Sequence, residues 1–364
     1  MNSKRVVFIF RNMGTGGAQK IEAFVANTLL EEGYDVVAIN MSSSPCTVNL
    51  NKDIKIVDVL YDSIEKCSNK LLKNVYKCSY IIKLRKKILS FKPDIVCAFL
   101  SDVVRITVLA MKGSDIPIIG SERGDPYFFT EKQFNKYRKA YLKCKSVVFQ
   151  LDDVAQKYNL PISIKQKVIP NPCIPRKNNY CKKRFQTNKT IIAAGRLTDQ
   201  KRFDLLIDAF EIVKQRFPEY QLHIYGDGPL KEELELKIQK SFVKGSVLLV
   251  GDVDDVFNIA VNAEFFVLSS DFEGIPNVIL ESMAAGIPCI STDCSPGGAR
   301  FLLKNGECGL IVPRNDKEKL AEAMIKYIMN PTLRSQNSEK GLMVVNEFNP
   351  YIIGKMWTDV FKYI

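Results

Sequence analysis

The chain has a single histidine, His223, in 364 residues. It lies inside the strand-like run Gln221-Leu222-His223-Ile224-Tyr225. Histidine is the commonest proton shuttle in catalysis and a frequent zinc ligand, so this placement disfavours both chemistries. The ten cysteines contain no C-x-x-C pair, and Cys97 and Cys289 sit within apolar runs. They read as small buried thiols in a reducing compartment rather than as disulfide or metal ligands. No uncharged apolar run reaches membrane-spanning length. The opening Met1 to Phe10 offers only Val-Val-Phe-Ile-Phe after two basic residues, too short for a signal core. The expectation is a protein made and kept in the cytoplasm.

The length suits two domains, each with its own core. Net charge is +12 and unevenly spread. Residues 1–170 hold 27 Lys and Arg against 16 Asp and Glu, whereas residues 171–364 hold 25 against 24. The positive field belongs to the first half. Its densest part is the helix-like stretch Lys70 to Lys92, where lysines alternate with Leu71, Leu72, Val75, Tyr76, Ile81 and Ile82. Two readings stand: a helix lying on anionic lipid at the inner face of the plasma membrane, or a solvated charged face over a core-facing stripe. Nucleic acid is not expected as a partner, because no binding motif or basic platform interleaved with aromatics is present.

Apolar runs alternate with helix-like segments from end to end, the pattern of parallel sheets wrapped by helices. Strands are expected near 4–10, 35–42, 54–59, 94–100, 116–121, 146–151 and 167–170. A second set follows near 190–195, 220–226, 246–251, 263–270, 287–293 and 309–313. The fold class is therefore α/β, with two doubly wound, Rossmann-like domains facing across a cleft. The first spans 1–171, a polar linker 172–189, the second 190–348. A final helix over 349–364 is expected to pack back across the domains.

The most informative run is 263–298. It reads as an apolar strand, a turn with Glu273, a helix carrying Glu281, and a second apolar strand. Gly274 allows close backbone approach, Pro276 suits a first helical turn, and free N–H groups there suit an anion. Two carboxylates flanking an anion site fit a ligand with hydroxyls at both ends and phosphate between, which describes a sugar nucleotide. Upstream, Gly195-Arg196-Leu197 ends a strand and Lys201 follows before a helix. Arginine forks and lysine charges suit the oxygens of a diphosphate leaving group. The turn Gly14-Thr15-Gly16-Gly17-Ala18-Gln19-Lys20 joins the first strand to a helix, and its glycines leave backbone N–H groups open to a phosphate. Gln19 stands where a dinucleotide fingerprint needs glycine, and the second strand ends without an acidic residue, so NAD is disfavoured. Gly226 and Val253 also end strands at the expected cleft, where plain turn chemistry is the competing reading.

Together these motifs resemble retaining glycosyltransferases of family 4, which have the GT-B fold. The resemblance spans nearly the whole chain. It rests on Gly16-Gly17-Ala18-x-Lys20, Val168-Ile169-Pro170-Asn171-Pro172, Gly195-Arg196-Leu197 with Lys201, and Tyr225-Gly226-Asp227-Gly228-Pro229. To these belong Glu273-Gly274-Ile275-Pro276-Asn277 with Glu281, and Gly309-Leu310-Ile311-Val312-Pro313. The turn Ser295-Pro296-Gly297-Gly298 is similar to that of enzymes assembling capsule, O-antigen and other surface glycans.

The resemblance implies that Arg196 and Lys201 hold the donor diphosphate, Glu273 faces the donor sugar and Glu281 accepts from the ribose. Gly274, Ile275, Pro276 and Asn277 would surround sugar and phosphate, with Gly16 and Gly17 closing over them. It implies no metal and no cofactor beyond a UDP-linked donor, and a lipid-diphosphate-linked glycan as acceptor. One departure is plain: many relatives have a histidine in the turn equivalent to Ser121–Pro126, and here Arg123 stands there between Glu122 and Asp125. Two readings follow for it. Either Arg123 contacts a phosphate while Glu122 orients the acceptor hydroxyl, or the loop holds an internal ion pair. Two other functions compete with transfer, a UDP-sugar epimerase and a non-catalytic membrane scaffold that binds a nucleotide sugar.

Overall fold

The computed structural model describes residues 3–14, 16–43, 45–61, 70–174 and 188–364. The chain divides into two compact units, Met1–Pro172 with Tyr351–Ile364, and Cys173–Pro350. Most of the expected linker, residues 175–187, lies outside the described residues.

The first unit is built on seven parallel strands: β1 (Arg5–Phe10), β2 (Asp35–Asn40), β3 (Lys55–Asp58), β4 (Ile95–Phe99), β5 (Ile118–Ser121), β6 (Ser146–Phe149) and β7 (Lys165–Val168), in the order β3-β2-β1-β4-β5-β6-β7. The central strands are covered on both faces and so read as unbroken apolar runs, such as Val6 to Phe10 and Ile95 to Phe99, all buried. The edges β3 and β7 carry lysines and are partly exposed, which discourages pairing with other chains. The helices include α1 (Gly17–Glu31), α2 (Lys70–Ser90), α3 (Ser101–Ala110), α4 (Glu131–Tyr141) and α5 (Asp152–Tyr158).

The second unit has six parallel strands: β8 (Thr190–Ala194), β9 (Gln221–Tyr225), β10 (Val247–Gly251), β11 (Phe265–Leu268), β12 (Cys289–Thr292) and β13 (Gly309–Val312), in the order β10-β9-β8-β11-β12-β13. Its helices include α6 (Phe203–Arg216), α7 (Lys231–Lys240), α8 (Val256–Ile259), α9 (Asn277–Ala284), α10 (Gly298–Leu302), α11 (Lys317–Met329) and α12 (Pro331–Val345). Its core joins Phe203, Phe210, Phe265 and Tyr327 across the sheet.

The last helix, α13 (Pro350–Lys362), packs on the first unit. Ile353, Trp357, Val360 and Phe361 recur at helical spacing and all enter that unit's core. Gly354 lets the helix approach α1, since a Cβ there would lie 3.2 Å from Thr28 Cγ2. Trp357 stacks on Phe99 with ring centroids 5.3 Å apart. Among the described residues, no helix is long and apolar enough to cross a membrane.

In both sheets the strand order reverses beside the first strand, between β1 and β4 and between β8 and β11. Loops diverge there to opposite faces and leave room at the carboxyl ends of the strands. In the second unit those loops are 195–201 and 269–276, which brings together two motifs far apart in sequence.

Candidate active site

Lys201 and Glu273 meet at this switch point. The Lys201 ammonium donates to Glu273 Oε1, and the Ser270 hydroxyl donates to the same oxygen at 2.9 Å. Each partner of the ion pair is 13% exposed, so the pair is shielded yet reachable. The two loops are fixed to each other on either side. Gln200 Nε2 donates to the Phe272 carbonyl at 2.7 Å, the Asp271 amide to the Gln200 carbonyl at 2.9 Å, and Ser269 Oγ to the Lys201 carbonyl at 2.7 Å. Arg202, whose φ of +48° turns the chain sharply into α6, reaches Asp271 at 3.3 Å. The sequence signal for Arg202 was its place directly before that helix, and its bracing role was not expected.

Arg196 is exposed, and no ion pair or hydrogen bond engages its side chain among the described residues. It is a cation held near the pair by Gly195 and the buried Leu197, with no carboxylate of its own. The φ of +153° at Gly195 favours glycine, and its missing Cβ leaves room for the Lys201 side chain, whose Cε would lie 2.8 Å from a Cβ there.

Gly226 has a packing role at the end of β9. A Cβ there would fall 2.1 Å from the Gly195 carbonyl oxygen, so glycine lets the ends of β8 and β9 close together. Val253 follows β10 and is half-buried, two strands from β8.

The strap 273–276 ends at α9. Pro276 caps that helix with extended backbone, one position before the expected first turn, and Asn277 is the first helical residue. The opening amides of α9 thus lie just beyond Glu273, suited to negative charge. Ile275, Ile279, Leu280 and Met283 are buried and fix the helix, while Glu281 is half-buried on it. Burial, and then the Glu281 charge, push the Cys173 thiol up to about 11. Burial, and then Glu273, push Cys294 up to about 12. Neither thiol is a nucleophile at neutral pH. His223 donates to or accepts from Gln221 within β9 and is lowered by burial, as a structural residue.

In the first unit, Gly16 caps α1 and Gly17 begins it. Thr15, just before Gly16, lies outside the described residues. Glu122 and Arg123 follow β5, and both side chains are buried, 1% and 6% exposed. Glu122 Oε2 accepts from Tyr158 at 2.7 Å, from Tyr141 at 3.2 Å and from Ser101, while Oε1 accepts from the amides of Arg123 and Gly124. Burial, and then that carboxylate, raise both phenols. Arg123 donates to Ser121 Oγ at 2.9 Å and to the Ile169 carbonyl at 2.8 Å, and lies 5.0 Å from the centre of the Trp357 ring. Burial pulls its guanidinium down to about 9, still charged at neutral pH. Both side chains hold the turn from inside, with Trp357 of α13 covering Arg123. Nothing in the local sequence announced that cover.

Residues 177–342 match the family model of glycosyl transferases group 1. An uncharacterized glycosyltransferase of Haemophilus influenzae is 26% identical over 367 residues, covering 98% of this chain and 99% of that protein. A Campylobacter jejuni α-1,4-N-acetyl-D-galactosaminyltransferase, named for an undecaprenyl-diphosphate-linked GalNAc acceptor, is 24% identical over 355 residues, 97% of each chain. The solved structure of Anabaena HepE with UDP and glucose superposes with a TM-score of 0.81 at 16% identity, covering 99% of this chain and 100% of that one.

Proposed function

We propose that this chain, a glycosyltransferase of two Rossmann-like domains with the GT-B fold, moves a hexose or N-acetylhexosamine from a UDP-sugar to a lipid-diphosphate-linked glycan during surface polysaccharide synthesis. The observation that carries this reading is the shielded Lys201–Glu273 pair beside the unengaged Arg196 and the start of α9. Arg196 and Lys201 bind the diphosphate, and the α9 amides share its charge. Glu273, held by Lys201 and Ser270, accepts from donor-sugar hydroxyls, while Glu281 accepts from the ribose. Glu122 and Arg123 position the turn after β5. The Campylobacter relative's named acceptor supports a lipid-linked glycan here and peripheral association with the inner membrane face.

Transfer proceeds with retention, as in family 4, and without a metal. The C1–oxygen bond to UDP breaks as the acceptor oxygen bonds C1 on the same face. The acceptor proton passes to the departing phosphate oxygen, so no protein base is consumed. Positioning and stabilisation of the leaving diphosphate supply most of the rate. Removing Arg196 costs roughly 3 kcal/mol, about a hundredfold in turnover, by analogy with loss of one oxyanion donor.

Thermal stabilisation across UDP, GDP, UDP-sugars, GDP-mannose and NAD is the first test; a ligand at a hundred times its Kd adds about 2.7 kcal/mol. UDP and one UDP-sugar are expected to shift the transition. Transfer to a lipid-linked acceptor then follows, with the product anomer read by NMR and EDTA leaving the rate unchanged. Stabilisation by GDP compounds alone replaces the donor, and an inverted product refutes retention. Interconversion of the UDP-sugar without acceptor identifies an epimerase instead.

A further inference from the structure

The first unit has a groove of about 950 Å³ on its helical layer, and no residue assigned above to donor or acceptor lines it. It lies along α3 and α4, with Val108, Leu109, Met111, Ile116 and Ile118 as its apolar lining. Leu109 is 39% exposed, although the helix has a buried face of Val103, Val104 and Thr107 for the core. The lining also carries six cations, Arg105, Lys112, Lys132, Lys136, Lys139 and Lys143, and no carboxylate.

Such a collection of like charges disfavours the empty state. Burial, and then the charges of Arg105, Lys77 and Lys132, pull the Lys136 ammonium below its ordinary value. Lys77 comes from α2, which packs on α3 in the same layer. That helix turns Tyr80, Leu84 and Ile88 inward, yet its outer stripe carries exposed Leu72, Val75, Tyr76 and Ile82 next to exposed Lys83 and Lys86. A solvated face has no use for four large apolar side chains, whereas an interfacial helix combines them with lysines.

We propose that this groove binds an anionic phospholipid of the bilayer, its phosphate on the lysine rim and one acyl chain along Leu109 and Met111. The α2 stripe lies in the headgroup region beside it. Charge complementarity selects the occupant: six cations with no carboxylate among the lining residues call for an anion, and an apolar floor calls for a chain attached to it. A free phosphate satisfies only the first, and a neutral lipid only the second. The volume falls at the upper end of the range for ligand pockets, about 300–1,000 Å³. The site depends on no assignment of donor or acceptor.

The test uses the full chain without nucleotide. Flotation with vesicles of phosphatidylcholine, with and without phosphatidylglycerol, measures partitioning for wild type, Lys136→Ala/Lys139→Ala and Leu109→Gln. Each lysine near an anionic surface contributes about fivefold, so the double variant should bind roughly 25-fold less. Leu109→Gln leaves charge unchanged and should lose about tenfold, on the scale of one buried leucine. Dioctanoyl phosphatidylglycerol is expected to raise the melting temperature of wild type but not of Leu109→Gln, with inorganic phosphate and dioctanoyl phosphatidylcholine inactive. The substituted side chains are solvent-accessible, and circular dichroism confirms folding. Wild-type partitioning by Leu109→Gln would overturn chain insertion and leave a charged surface alone. Equal stabilisation by phosphate would make this a free-anion site, and equal flotation with neutral vesicles would remove the anionic lipid.

Discussion

Gly298 opens α10, and a Cβ built on it would lie 1.7 Å from the Gly274 carbonyl oxygen and 3.1 Å from Ile275 Cα. Both are backbone atoms of the strap carrying Glu273, so no flexible side chain can yield. A relaxed carbon–oxygen contact is about 3.3 Å, so strap and helix must separate by roughly 1.6 Å. Neither moves freely: the Glu273 amide donates to the Ser295 carbonyl at 2.7 Å, and the Ser295 amide to the Asp271 carbonyl at 3.2 Å. Gly298→Ala should therefore cost about 1–3 kcal/mol as overpacking, a fall of several degrees in the unit's transition. Turnover should fall much further. Misplacing a positioning group by about 1 Å can cost a hundredfold, and Glu273 rides on the displaced strap. The assay is transfer from the donor identified by thermal shift, run below the variant's melting temperature. Gly245→Ala is the control, because its φ is +80° with nothing within 4 Å. It should carry backbone strain of about 1–2 kcal/mol and leave turnover unchanged. A folded Gly298→Ala protein with near wild-type turnover would refute the claim that strap position sets the rate.

Three further outcomes follow from the same geometry. A double-mutant cycle of Lys201→Met and Glu273→Gln, read by denaturant unfolding, should give a coupling between the roughly 1 kcal/mol of an exposed pair and the roughly 3–5 kcal/mol of breaking a buried one; a value near zero would show the pair to be incidental. Glu22 is 3% exposed, its Oε1 has no hydrogen-bond partner among the described residues, and burial raises its carboxyl well above the usual range. Its protonated form is fully favourable below the unfolded pKa, and the contribution is lost as pH rises toward the folded value. The melting temperature of Glu22→Gln should therefore gain on wild type from pH 4 upward, about where unfolded carboxyls ionise, and a pH-independent difference would refute the buried carboxyl. Trp357→Ala should destabilise the first unit by about 3–5 kcal/mol, from cavity formation and loss of the Phe99 and Arg123 contacts; a loss below about 1 kcal/mol would mean α13 is dispensable.

The sheets were legible because parallel strands covered on both faces must be apolar without interruption. All thirteen expected runs are strands, and each lies within about two residues of its expected limits at most ends. Glu122 and Arg123 were harder to place. Charged residues after a strand signal either solvent or function, and the cover that buries Arg123 comes from Trp357, more than two hundred residues later. The groove between α3 and α4 was missed for the same reason: Arg105 and Lys136 are unremarkable on their own helices and become one field only when those helices pack. The Lys201–Glu273 pair lies between these cases. Lys201 and Glu273 are 72 residues apart, and each is an ordinary charged residue following a strand. What joins them is strand order: once β11 lies beside β8, the loops after these two strands must share one end of the sheet. Sequence can nominate both residues by their neighbours, but their meeting is a property of topology. A swap that preserved both motifs while separating β8 from β11 would lose the ion pair and, with it, the contact that orients the Glu273 carboxylate.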